Sequence, residues 1–257
     1  MSVKFIILGS GSSMGVPRAD GYTGNCNLNN VKNFRTRCSA LIKFNDSNIL
    51  IDTSPDLRSQ LLKNKIKSID KVFYTHLHAD QTHGINDLRP FFLINKKQIP
   101  VFADNKTSKY LFSTFKYCFK SSYGYPSTLE LKNLKNKHTF KNKNKKILIE
   151  SIPTEHGKIE SICYLINKKL AYASDISLFY KKDYKKLTNL DYLIVDCLWY
   201  KNHSAHFNLD QVLNLVKILL PKKTILTNMH SDLDYDHLKK KLPKNIIPGY
   251  DGMTINL

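Results

Sequence analysis

Lys71-Val72-Phe73-Tyr74-Thr75-His76-Leu77-His78-Ala79-Asp80 passes from a short apolar stretch straight into alternating histidines and an aspartate. Lys71 to Tyr74 reads as a buried strand. His76, His78 and Asp80 therefore fall in the loop beyond it, where side chains can converge on one point. Two imidazoles and a carboxylate in one short loop are what a divalent transition metal takes from a protein.

The elements on either side suit such a loop. Val3 to Leu8 is a short apolar strand that runs into Gly9-Ser10-Gly11-Ser12-Ser13, a turn-rich segment where backbone can approach a ligand. That segment lacks the spacing of a dinucleotide fingerprint, and no lysine follows as in a P-loop. Ser39 to Phe44 and Asn48 to Asp52 read as a hairpin, followed by a helix from about Pro55 to Lys65 with Leu57, Leu61 and Leu62 on one face. Beyond the histidines, strands are expected near Ile147 to Ile152, Ser161 to Ile166, Leu170 to Ala173, Tyr192 to Val195 and Thr224 to Leu226. A helix from Asn208 to Leu219 keeps Val212, Leu215, Val216 and Leu219 on one side, with Pro221 just past its end. Strand groups followed by helices, twice over, predict an α/β fold of two sheets face to face with helices outside. No linker or low-complexity break interrupts the 257 residues, so 1–257 is expected to form a single domain.

Composition narrows the classes. No charged-then-apolar leader opens the chain and no apolar run is long enough to span a bilayer, so a cytoplasmic protein without membrane contact is expected. Cys26, Cys38, Cys118, Cys163 and Cys197 are scattered and never in C-x-x-C spacing, which predicts buried, reduced thiols and neither a disulfide framework nor a cysteine zinc clip. The net charge of +19 is mainly lysine accompanied by Asn and Ile, the bias of an AT-rich genome, so it points only weakly to anionic partners. Its densest stretch, Lys132 to Lys146, reads as a solvated hairpin edge.

Further metal ligands must come from later loops, and candidates stand at the ends of predicted strands. These are His156 in Pro153-Thr154-Glu155-His156-Gly157, Asp175 in Tyr172-Ala173-Ser174-Asp175, and Asn228 or His230 in Leu226-Thr227-Asn228-Met229-His230. His83 and His203 are poorer candidates, and His138 and His237, in lysine-rich surface segments, are given no role.

The order H-x-H-x-D, then a histidine after a strand, an aspartate after a strand and a polar turn after Thr224-Ile225-Leu226-Thr227 resembles the metallo-β-lactamase superfamily. Three further stretches look like its phosphodiesterase branch: Gly9-Ser10-Gly11-Ser12-Ser13-Met14-Gly15-Val16-Pro17, Ile51-Asp52 and Tyr250-Asp251-Gly252-Met253. That branch holds the phosphoribosyl cyclic-phosphate phosphodiesterases and, more distantly, the tRNA 3′-end endonucleases. The resemblance spans nearly the whole chain and implies a four-layer αββα sandwich of two mixed sheets. It implies one or two divalent metal ions, zinc and/or manganese. By it, His76, His78, His156 and Asp175 would hold the first metal, and Asp175 would bridge to a second that Asp80 also ligates. His206, in Ser204-Ala205-His206-Phe207-Asn208-Leu209, matches the histidine that acts on the transition state or leaving group.

Two positions depart from the family's pattern. Gln81 stands after Asp80 and Asn228 after Thr227, where the family usually has second-metal histidines. Amide oxygens are poor ligands for zinc and tolerable ones for manganese or magnesium, so a second metal is expected to be harder, looser or missing unless His230 compensates.

A divalent cation lowers the pKa of bound water from about 15.7 toward roughly 7, and its charge stabilises a developing phosphorane. Asp80 would orient or deprotonate that water, and His206 would donate to a phosphate oxygen or to the departing alkoxide. Arg18, Arg35, Arg37 and Arg89 stand out in a lysine-rich chain because the planar guanidinium suits bidentate phosphate contact, although structural ion pairs explain any one of them equally well. The aromatic stretch Tyr110 to Tyr125 could cap a nucleobase, with helix packing as the plainer account. The leading expectation is hydrolysis of a small phosphodiester, a cyclic ribose phosphate or a nucleotide. An RNA or tRNA nuclease is the first rival: the charge favours it, while the lack of a long Gly- and Pro-rich arm opposes it, so nucleic acid is a less favoured partner. A thioester or lactone hydrolase is the second, because the same hydroxide attacks carbonyls. A non-enzymatic binding protein would be expected to have lost the first metal site, and a homodimer is compatible with the sequence.

Overall fold

The computed structural model describes residues 3–122 and 124–257. Tyr123, within the aromatic stretch, lies outside the described residues. In chain order the first strands are β1 (Lys4–Gly9), β2 (Ser39–Phe44), β3 (Ser47–Ile51), β4 (Lys71–Phe73), β5 (Ile99–Ala103), β6 (Leu129–Asn133) and β7 (Lys137–Asn142). There follow β8 (Lys145–His156), β9 (Ile159–Ile166), β10 (Leu170–Ala173), β11 (Leu178–Phe179), β12 (Tyr192–Asp196), β13 (Lys223–Thr227), β14 (Ile246–Pro248) and β15 (Met253–Asn256). The α-helices are α1 (Leu57–Lys63), α2 (Ala79–Thr82), α3 (Arg89–Asn95), α4 (Asn105–Thr114), α5 (Lys116–Phe119), α6 (Tyr184–Leu187), α7 (Leu209–Leu219) and α8 (Tyr235–Lys241).

One sheet runs β15-β1-β2-β3-β4-β5-β6, antiparallel as far as β3 and parallel from β3 to β6. The other runs β11-β8-β9-β10-β12-β13-β14, with β7 also on β8, and is parallel from β10 to β14. Alternation along each strand builds the layers. Ile42 and Ile49 point inward, with Phe5 and Ile7, to meet Ile149, Tyr164, Tyr172 and Ile225 of the facing sheet. Leu41, Leu50 and Val72 point outward onto Leu57 and Leu61 of α1 and Leu111 of α4. On the far side Leu165, Leu193 and Leu226 pack under Val212, Leu215 and Leu219 of α7 and Leu238 of α8. Strands buried on both faces read as unbroken apolar runs, which is why Tyr192 to Val195 and Thr224 to Leu226 were legible. The result is the expected α/β sandwich of two mixed sheets between helical layers.

α7 begins at Asn208, whose side chain accepts from Gln211 N–H while Gln211 returns a bond to the Asn208 backbone, a reciprocal cap that fixes the segment just after His206. β8 is longer than its sequence suggests and ends on His156 itself, because Pro153, which signals a break, is accommodated opposite Ile162. The lysine-rich stretch does form the β7–β8 hairpin, but His138 is not a surface residue. Alternation turns it inward, where its buried ring meets Phe73 at 5.2 Å and Phe102 at 4.7 Å between centroids. All five cysteines are buried and free. Among the described residues no helix is long and apolar enough to cross a membrane.

Candidate metal centre

The chemistry gathers at the carboxyl ends of the parallel strands of both sheets, where successive loops face one another. β3 delivers Asp52, whose backbone is left-handed (φ 61°) and whose buried carboxylate accepts from Thr75 N–H at 2.8 Å and Thr75 Oγ at 2.9 Å. Thr75 Oγ in turn lies 3.0 Å from His76 Nδ1, which leaves His76 Nε2 to face the site. The histidine loop is clamped to the turn after β3. Thr53 N–H donates to Gln81 O at 2.7 Å, and Gly84 N–H to Thr53 O at 2.9 Å. Gly84 has no substitute there, since a Cβ would lie 1.9 Å from Ser54 O.

Three imidazole nitrogens converge. His76 Nε2 lies 3.1 Å, and His156 Nε2 3.2 Å, from His78 Nδ1. His156 Nδ1 donates to Ala205 O at 2.7 Å, so its Nε2 presents a lone pair. Burial first, then the neighbouring imidazoles, drives the His76 pKa well below its ordinary value. Burial lowers His156 to about 4, against the opposing bond to Ala205 O and with help from His206. Neutral rings aiming lone pairs at one point are the state a divalent metal requires, and few protons are available to link them otherwise. The donor set fits that ion. His156, Asp175 and His206 form a second group whose potential ligand atoms lie within 4.8 Å of one another, so His156 joins the two.

Asp175 follows β10 and is buried with Asp80 nearby. Burial and then the like charge of Asp80 push its pKa up to about 8, against the pull of His206. A carboxylate so placed calls for a cation. Asp196, the last residue of β12, is the residue that sequence reasoning missed. It is fully buried and its Oδ2 lies 2.6 Å from His206 Nδ1. The Ile176 N–H also donates to that oxygen, at 3.0 Å. Burial would lower the His206 pKa, but the charge and hydrogen bond of Asp196, joined by Asp175 and Asp80, carry it up to about 9. These neighbours favour the acid form of His206, whose ring is set edge to face with His156 at 4.7 Å between centroids. The signal was available in Tyr192-Leu193-Ile194-Val195-Asp196, an aspartate closing an apolar strand just as Asp52 does.

Gln81 and Asn228 reach the centre through their amide nitrogens. Gln81 Nε2 lies 3.1 Å from both Asp80 Oδ2 and Asp175 Oδ2. Asn228 Nδ2 lies 3.2 Å from Asp175 Oδ1 and 3.3 Å from Asp196 Oδ1. His230 does not join them. Its ring lies 5.1 Å from that of Trp199, and its Nδ1 is 3.4 Å from Asp232 Oδ2, so it gives no compensating ligand.

The arginines divide. Arg37 forks onto Asp56 at 2.8 Å through both Nε and Nη2, within the field of Asp80. Arg35 is buried and committed to Asn33 Oδ1, Leu233 O and Cys26 Sγ, which places it in the scaffold and corrects its expected substrate contact. Arg18 pairs with Asp20 on the surface. Arg89 lies over Tyr125 beside a separate, mostly apolar cavity of about 450 Å³. His83 contacts Tyr110 and Phe115, and His203 lies 5.0 Å from His206 between ring centroids.

The opening glycine loop is also scaffold. Its Ser10, Gly11 and Ser12 N–H groups donate to Asp251 Oδ1, Thr36 O and Met229 O, so they are not free to cradle an anion. A Cβ at Gly9 would lie 2.0 Å from Arg37 O, which explains the first glycine.

Comparison with known proteins agrees with this geometry. The family described as a beta-lactamase superfamily domain matches residues 47–229. An octanoyltransferase from Porphyromonas gingivalis is 29% identical over 255 residues, covering 98% of this chain and 51% of that protein. A ribonuclease Z from Prochlorococcus marinus is 29% identical over 125 residues, 47% of this chain and 39% of that protein. The chain thus spans about half or less of the length of these curated relatives. Among solved structures, a diphosphatase from the PhnP family superposes with a TM-score of 0.89 at 30% identity, over 100% of this chain and 98% of that one.

Proposed function

Because the chain belongs to the beta-lactamase superfamily domain family, we propose that it is a metal-dependent hydrolase that cleaves a small phosphodiester. His76, His78, His156 and Asp175 would hold a divalent metal, zinc or manganese. When bound, that ion supplies hydroxide at neutral pH and a positive charge for the developing phosphorane. Asp80, half-buried beside Asp175, orients the attacking water.

The observation that carries the reading is the Asp196–His206 pair. A histidine held protonated next to the imidazole cluster is a general acid for a leaving group that departs as an alkoxide. A thioester needs no such donor, since a thiolate leaves unaided. The likeness to a diphosphatase supports phosphorus chemistry over carbonyl chemistry. Arg37, in the field of Asp80 and only half-buried, is the arginine best placed for a substrate phosphate. The test is a panel with zinc or manganese: bis(p-nitrophenyl) phosphate, cyclic nucleotides, a nucleoside diphosphate ester, a short RNA, an acyl thioester and a lactone. We expect the small phosphorus esters to turn over fastest. A clear win for the carbonyl substrates overturns the phosphodiesterase reading, and a clear win for RNA moves it to a nuclease.

A further inference from the structure

We infer that the protein works with one metal ion, and that the side-chain amides of Gln81 and Asn228 replace a second cation by bridging Asp80, Asp175 and Asp196 with hydrogen bonds. The inference rests on the proposed metal centre at His76, His78 and His156.

Three carboxylates crowd one side of that centre, and like charges so close must be neutralised by protons, by a metal or by donors. The Gln81 amide is fully buried, and its two N–H bonds match two acceptors, Asp80 Oδ2 and Asp175 Oδ2, each at 3.1 Å. The buried Asn228 amide likewise has two, Asp175 Oδ1 at 3.2 Å and Asp196 Oδ1 at 3.3 Å. The His206 Nδ1 proton is already directed to Asp196, so the 3.1 Å approach of Asn228 Nδ2 to that nitrogen is packing between two donors. Asp175 thereby receives one amide on each oxygen, the place where a bridging carboxylate would otherwise spread between two ions.

The alternative is that each amide turns and offers its oxygen to a metal. For Gln81 the surroundings oppose it. Its Oε1 is buried with no hydrogen-bond partner, so the amide is held by the two bonds its nitrogen gives to carboxylates. Amide nitrogen inward leaves one carbonyl unpaired, whereas amide oxygen inward would remove two bonds to carboxylates and set that oxygen against both carboxylate oxygens. The same turn of the Asn228 amide would remove its bonds to Asp175 Oδ1 and Asp196 Oδ1 and set a carbonyl oxygen against both carboxylate oxygens. The remaining imidazole within reach in the sequence, His230, faces Trp199 and Asp232. The second-metal position therefore offers carboxylates already bridged by donors, and Gln81 and Asn228 turn N–H groups toward it where a zinc ion takes imidazole lone pairs.

Metal content is the readout. The native protein is incubated with excess zinc, and separately manganese, then desalted and analysed by mass spectrometry for ions per chain. In parallel, the paramagnetic spectrum of the manganese form distinguishes isolated ions from exchange-coupled pairs. We expect one ion per chain and an uncoupled manganese signal, with a second ion appearing in the folded double variant Gln81→His/Asn228→His. Gln81→Glu, which keeps the shape and exchanges a donor for a carboxylate, should also gain a second ion and covers the case in which the double variant does not fold. Two ions per native chain, or a coupled manganese pair, overturns the single-metal inference while leaving the metal centre intact. Folded variants that still hold only one ion overturn the role given to the amides. A native protein that retains no ion at all overturns the metal centre itself, and with it this inference.

Discussion

Asp196→Asn keeps the shape of the side chain behind His206 and removes its charge. Asp196 is fully buried and bonded to His206 Nδ1 at 2.6 Å, and its charge and hydrogen bond are the leading influences that carry His206 up to about 9 against the opposing effect of burial. Without that charge, burial acts against only the more distant Asp175 and Asp80, and the ring should return to its ordinary value of about 6.5 or lower. The acid form of a raised histidine is present below its pKa and lost as pH rises through it. At pH 8 the protonated fraction should therefore fall from about 0.9 to about 0.03, a loss of roughly thirtyfold in the active form, worth about 2 kcal/mol in the barrier. The loss should shrink to less than about twofold at pH 6. The assay is kcat against pH for two substrates with equal metal loading: an alkyl phosphodiester, whose leaving group needs a proton, and bis(p-nitrophenyl) phosphate, whose leaving group does not. The alkaline limb of the alkyl substrate should move from about 9 to about 6.5 or below, with little change for the nitrophenyl ester. An unmoved limb, or equal losses on both substrates, would show that Asp196 does not act through the proton of His206.

Three other outcomes follow from the geometry. His206→Ala should lower kcat toward alkyl phosphodiesters by roughly two to four orders of magnitude, the scale of a lost general acid, with metal content unchanged; loss of the ion would make His206 a ligand instead. His76→Ala and Asp175→Ala should each reduce hydrolysis to background and sharply lower bound metal, and activity retained in both would refute the ligand assignment. Gly84→Ala forces a Cβ to 1.9 Å from Ser54 O, so thermal unfolding should reveal about 1–3 kcal/mol of destabilisation together with weaker metal retention; a variant as stable as the parent would show that the turn after β3 is free to move.

Much of the fold was open to reading before any tertiary structure. The hairpin of β2 and β3, the strand β4 leading to His76, and the strands β9, β10, β12 and β13 all stand close to their expected places, because strands covered on both faces are apolar without interruption. What escaped was the region from β5 to β6 and the short edge strands. Ile99-Pro100-Val101-Phe102-Ala103 is brief and contains a proline, and β11 and β14 are held by pairing with β8 and β13 more than by any local preference. The reading of His138 failed for a related reason: the lysines around it set the character of the segment, while a period of two turned that one ring into the core.

The sequence by itself determined the candidate ligands and their order, since His76, His78 and Asp80 stand within five residues after β4, His156 closes β8 and Asp175 follows β10. It also revealed that two expected imidazoles are amides. Only the tertiary structure decided what those amides do, because an amide offers an acceptor on one side and donors on the other, and the choice depends on which buried neighbours surround it. The same holds for Asp196, which closes β12, and His206, ten residues on in the irregular segment before α7, whose course no local pattern specifies. Arginine and histidine carry the same chemistry wherever they stand: burial separated Arg35 in the scaffold from the half-buried Arg37 on Asp56, and partners separated His230, against Trp199 and Asp232, from His206 on Asp196. Residue identity fixes what a group is able to do; the partners that folding brings within about 3 Å decide which of those things it does.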